Sequence, residues 1–205
     1  MNVEGIFLSY YWAKFKQISN NTFRFDTRIY LNLTSDPSDN DLCIGAIVGK
    51  NPGSAIPSSS NNTSLQKIVL DGDNLLPTVR SIFTKAYQHS EKPIQKNSYI
   101  QVLNLLYICD KELSQAIRKI GDYPNPIICD TESRHFPFVW YVWGGKKKGL
   151  NFYKERFNGL NANLHFYLNT QTNEIVDYSP RPGDSARHTQ GLKHELVVPY
   201  ISSII

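Results

Sequence analysis

The stretch AIVGKNPGSA, Ala46 to Ala55, ends an apolar run on one amide, Asn51, held between two glycines. An amide stays neutral, so Asn51 cannot act as a strong base; its carbonyl can only orient a water or another donor. Pro52 fixes its own φ and biases Asn51 toward an extended conformation, while Gly49 and Gly53 let backbone approach a ligand closely. Lys50 and Ser54 complete the turn. The same residues are ordinary turn formers, so a plain strand-to-loop turn also accounts for them. A second amide, Asn104 in QVLNLLY, interrupts another apolar run. Left without partners there it would cost ~1–3 kcal/mol. It therefore either bonds backbone at a strand end or offers its donor and acceptor to a ligand.

The elements needed to position these amides follow from the surrounding pattern. LCIGAIVG is short, continuous and apolar, which reads as a strand buried on both faces, with Asn51 just beyond its carboxyl end. In open parallel sheets that edge is where ligands bind. FRFDTRIYLNL before it alternates as a strand does. SYIQVLNLLYI, FPFVWYVWGG and NANLHFYLN supply three more strands. Between them, NLLPTVRSIFTKAYQHS carries apolar residues at helical spacing, with Pro77 tolerable only near its start. DKELSQAIRKIG reads as a short helix capped by Asp110 and stopped by Gly121. KKKGLNFYKERFNGL reads as a third helix. Residues 57–73 and 170–191 read as long loops. Strands alternating with helices predict an α/β chain: a three-layer α/β/α sandwich with a four-stranded parallel central sheet, one domain over residues 1–205.

Composition narrows the class. With 205 residues, 40% of them hydrophobic, one domain can bury a sizeable core. The net charge of +4 permits a polyanionic partner without requiring one. Cys43, Cys109 and Cys129 are far apart and each lies in or beside an apolar run, so they read as buried hydrophobes in a reducing compartment; no metal and no cofactor are expected. The first residues lack a signal-peptide pattern and no apolar stretch is long enough to span a bilayer. A cytoplasmic monomer is expected.

Three strand ends read together are more specific than any one: Asn51 in GKNPGSA, Asn104 in QVLNLLY, and Trp143-Gly144 in FVWYVWGG. In that order the chain resembles the uracil-DNA glycosylase superfamily, whose members carry a water-activating Gly-Gln-Asp-Pro or Gly-x-Asn-Pro-Gly motif after the first sheet strand. In the uracil-specific branch an Asn in a Leu-Leu-Leu-Asn strand reads the base, and a later strand ends Leu-Leu-Trp-Gly. The chain also resembles an uncharacterised bacterial family that combines an Asn-Pro-Ser turn with an Asn-Leu strand and a Trp-Gly strand. The superfamily closes with a His-Pro-Ser or Asn-Pro-Ser loop, and here the corresponding loop, YSPRPGDSARHTQGLKHEL, contains neither.

The resemblance implies a DNA N-glycosylase that flips a modified pyrimidine out of the stack and leaves an abasic site. Asn51 would orient the water, Asn104 would read the base, and the turn residues Gly49, Lys50, Pro52, Gly53 and Ser54 would line the pocket. Arg187 and His188 are the nearest replacements for the closing motif, with His188 as a cationic donor to the leaving base and Arg181 a further cation facing DNA. Lys146, Lys147 and Lys148 would meet DNA phosphates, although three consecutive lysines also suit a solvated helix start. Trp143 reads as packing beneath the site. Gly53-Ser54 stand where the superfamily has a tyrosine, which would make the pocket roomier and fit a hydroxymethylated or glucosylated cytosine of phage DNA. The rival readings are a binding module for DNA or a nucleotide without chemistry, and an enzyme that cleaves the same bond in free nucleotides.

Overall fold

The computed structural model describes residues 8–54, 56–57, 64–145 and 148–205. The chain is mixed α/β. Its strands are β1 (Ser9–Ile18), β2 (Asn21–Thr34), β3 (Leu42–Gly49), β4 (Ile56–Pro57), β5 (Gln66–Val69), β6 (Ser98–Asn104), β7 (Val139–Tyr141), β8 (His165–Leu168) and β9 (Ile175–Val176). They form one sheet in the order β4-β5-β1-β2-β6-β3-β7-β8-β9. The helices are α1 (Leu75–His89), α2 (Leu113–Ile120), α3 (Asn151–Glu155) and α4 (Val198–Ile204).

The expected four-stranded parallel sheet does not describe this architecture. Parallel pairing joins β6 to β3, β3 to β7 and β7 to β8. The other five pairings are antiparallel: β1 with β2 and with β5, β2 with β6, β4 with β5, and β8 with β9. The long β1–β2 hairpin turns at Ser19, which has positive φ, and its strands extend the sheet beyond β6. Two stretches expected as loops also contribute strands, β5 within 57–73 and β9 within 170–191.

Alternation along the strands sends successive side chains to opposite faces. Ile47 of β3 joins a cluster with Ile100, Val102 and Trp140, against Val79, Ile82 and Phe83 of α1 and Ile201 of α4. Its neighbours Ala46 and Val48 join a second cluster with Leu103 and Tyr141, against Ala116 and Ile120 of α2 and Phe157. Strands buried on both sides explain the near-continuous apolar runs. Among the described residues no helix is long and apolar enough to cross a membrane.

Candidate functional site

At the carboxyl ends of β3 and β6, Gly49 and Asn104 are partners in the parallel register. A Cβ on Gly49 would lie 3.1 Å from Asn104 Oδ1, so glycine is what lets the amide rest against the neighbouring strand. Past Asn104 the chain leaves the strand but keeps bonding to the turn after β3. The Leu105 N–H donates to the Gly49 carbonyl at 3.0 Å, and the Leu106 N–H to the Lys50 carbonyl at 2.8 Å. Arg156 donates to the carbonyls of Asn104 and Leu105 and pairs with Glu132 at 2.9 Å, which fixes this strand end from the outer side. Asn51 then donates its Nδ2 to the Asp110 carbonyl at 2.7 Å. That bond uses the amino half of the amide, on a residue that lines the cavity.

The cavity, of about 410 Å³, is lined by the whole turn from Gly49 to Ser54, and by Asn104 and His188. His188 arrives on a segment stitched across the strand ends: Ala186 bridges to both Gly144 and Asn169, and the Arg187 N–H donates to the Leu168 carbonyl. The Arg187 side chain turns away and donates to Asn173 Oδ1, and it does not line the cavity. Arg181 is exposed and also lies outside it. Trp143 is fully buried, 5.0 Å between ring centres from Tyr141. Lys146 and Lys147 lie outside the described residues, as does the Lys148 side chain.

Burial, reinforced by the nearby Lys50 ammonium and only partly opposed by Asp73, lowers the His188 pKa from its ordinary 6.5. At neutral pH the ring is therefore uncharged, contrary to the cation expected from sequence. Its Nδ1 accepts the Gln190 N–H at 3.1 Å, which places the ring proton on Nε2. A neutral imidazole with Nε2–H still donates a hydrogen bond; it contributes no full charge.

Residues that sequence reasoning missed complete the cavity. Arg24, Asp71, Asp73, Lys111 and Thr189 all line it. Arg24 is 1% exposed and comes from the start of β2. Because β2 runs antiparallel to β6, its beginning lies at the carboxyl end of β6, where the Arg24 N–H donates to the Tyr107 carbonyl at 2.9 Å. Its Nη1 stands 3.5 Å from Asp73 Oδ2. Asp73 also holds the start of α1, accepting the N–H of Leu75 at 2.9 Å. Asp71 pairs with Lys111 at 3.0 Å. Neither carboxylate is disposed as an unengaged base.

No family model matches this chain, and no curated protein or solved structure matches it either.

Proposed function

We propose that this protein is a DNA N-glycosylase, acting on a modified pyrimidine flipped out of the helix. The observation that carries the reading is the convergence of Asn51, Asn104 and His188, far apart in the chain, on one cavity at the carboxyl ends of β3 and β6. Helices against both faces of the sheet are compatible with the three-layer sandwich of the glycosylase superfamily that the strand-end motifs resemble. In the reaction, the bond between the base nitrogen and C1′ breaks with its electron pair staying on the base. Water adds to C1′, and its proton ends on the base or in solvent. Asn51, pinned through Nδ2, would hold that water by its carbonyl. Asn104 would meet the base edge and the His188 Nε2–H would donate to an acceptor on the leaving base. The cavity exceeds what a bare pyrimidine ring fills, and Gly53 and Ser54 add little bulk, which favours a base carrying a substituent such as a hydroxymethylated or glucosylated cytosine.

A second reading, a DNA- or nucleotide-binding module without chemistry, draws support from the engaged state of Asp71 and Asp73. Incubation with DNA from a phage with modified cytosines, beside unmodified DNA, followed by hot alkali separates the two. A glycosylase yields alkali-labile strands, whereas a binder shifts mobility and leaves every strand intact.

A further inference from the structure

Among the described residues, four buried side-chain atoms without a hydrogen bond belong to residues that line this cavity: Arg24 Nε, Asn104 Nδ2, Thr189 Oγ1, and Arg24 Nη1, which has only its ion pair with Asp73 at 3.5 Å. All four can donate. Folding normally pairs such groups, because a buried donor left alone is destabilising. Here these donors belong to residues that line one cavity, so an occupant with acceptor atoms on one edge could satisfy them together once the side chains turn toward it. One of the residues carries charge. Burial lowers the Arg24 pKa and Asp73 opposes the shift, but a guanidinium starts so high that it stays protonated. Its ion-pair partner Asp73 stands at 3.5 Å through Oδ2, while Oδ1 of the same carboxylate holds the start of α1, so the pair is looser than a close charge-assisted bond.

We infer that Arg24 is a catalytic residue: its guanidinium receives the negative charge that develops on the base as the glycosidic bond breaks, while Asn104 and Thr189 hold the acceptors of the same edge. Neutral His188 supplies a directional hydrogen bond; Arg24 supplies the full charge. The group recognised is a pyrimidine edge bearing acceptors only, such as O2 and N3 of a cytosine. The chemical step rests on the glycosylase reading; the binding of an electron-rich edge rests on the cavity alone.

The test separates them by using free bases. 5-Nitrouracil adds a nitro group to uracil at C5, away from the O2 edge, and has a far more acidic ring N–H, so it presents more negative charge at neutral pH. Wild-type protein should bind 5-nitrouracil tighter by about tenfold or more, the fold-change expected for a hydrogen bond to a charged partner. In Arg24→Gln the two affinities should converge, and in Arg24→Lys the preference should persist at reduced strength. Should Arg24→Gln not fold, the wild-type protein gives the second measurement: the Arg24 Nε–H resonance must shift on adding 5-nitrouracil. Equal affinity of the wild type for both bases, binding of neither, a preserved preference in folded Arg24→Gln, or an unmoved resonance would each overturn the assignment. Absence of excision on every DNA, with the Arg24-dependent preference intact, would instead remove the glycosylase reading and leave the charge-binding site standing. Full excision by Arg24→Gln would sink the catalytic role alone.

Discussion

Removing the Asn51 side chain perturbs two things that the structure keeps apart. Asn51 Nδ2 is bonded to the Asp110 carbonyl at 2.7 Å, and Asn51 lines the cavity, where its carbonyl is the group proposed to hold the water. In Asn51→Ala the first loss leaves one partly buried carbonyl without its donor. The net cost of such a bond is about 1 kcal/mol, or roughly 2–4 °C in melting temperature for a domain of this size. Asp110 itself stays in place, because its carboxylate bonds Lys119 at 2.7 Å and the Glu112 N–H at 2.9 Å. The second loss removes the group proposed to orient the water. A positioning group is worth at least ~1.4 kcal/mol in the transition state, a tenfold change in rate. Single-turnover excision, read as alkali-labile strands and set beside a thermal melt, should therefore show a small drop in stability and a rate at least about tenfold lower, with DNA affinity retained. A folded variant that keeps more than about a tenth of the wild-type rate would refute the argument, since loss of a water-positioning group cannot be that mild. Asn51→Asp is the sharper companion: a carboxylate cannot donate to the Asp110 carbonyl, so the side chain must leave that position and excision should not be rescued.

Three further outcomes are expected. His165, His188 and His194 all have pKa values lowered from 6.5 by burial, so the stability they contribute is present above about 6.5 and is lost as pH falls through their folded values; melting temperature should drop on acidification across that window, and an unchanged melt would contradict the assignment. With His188 donating as the neutral ring, the excision rate should hold level from neutral to mildly alkaline pH; a fall there that His188→Ala removes would mean that the cation is the active form. Gly45→Ala places a methyl inside contact distance of three atoms of the Phe138 ring, which is stacked on Phe83, and should destabilise by ~1–3 kcal/mol in a denaturant titration with no specific effect on base binding.

The amide turn was legible because its chemistry is local: strand, glycine, amide, proline and glycine dictate their own conformation whatever surrounds them. The parallel pairings among β3, β6, β7 and β8 were legible for a similar reason, since strands buried on both faces leave continuous apolar runs. Strand direction is not local. FRFDTRIYLNL reads as a strand in either sense, and only the pairing of Thr27 with Val102 settles that it runs against β6. With that direction unknown, nothing in the sequence could carry Arg24 to the same edge as Asn104. Short edge strands such as β4 and β9 were missed because two residues give no periodicity to detect. The choice between Arg187 and His188 was likewise beyond reach. Adjacent residues in an extended segment point opposite ways, and the bridges of Ala186 to Gly144 and Asn169 decide which of them enters the cavity.

The Trp-Gly pair at the end of the third strand run illustrates how a motif can serve a site without touching the ligand. Gly144 has φ +75°, a left-handed conformation that disfavours any side chain. A Cβ there would also come within 3.1 Å of Lys50 Nζ and 3.5 Å of His188 Cβ, so the lysine end packs directly over this glycine. The empty space above Gly144 is thus the seat of the Lys50 side chain, and Lys50 is the neighbour whose charge adds to burial in lowering the His188 pKa. Trp143 beneath is fully buried and lies under the Lys154 ammonium, 5.4 Å from its ring centre. Lys154 is also depressed by burial and by Lys50, so a second lysine experiences the same field. A lysine of one motif therefore packs over the glycine of another, and its charge helps lower the pKa of the histidine of a third. Replacing Lys50 by methionine removes that charge while keeping most of the bulk, and should raise the histidine's pKa toward 6.5. Titration of the His188 ring by NMR reads that shift directly; no rise in a folded Lys50→Met variant would mean that burial alone, and not the Lys50 charge, holds the ring neutral.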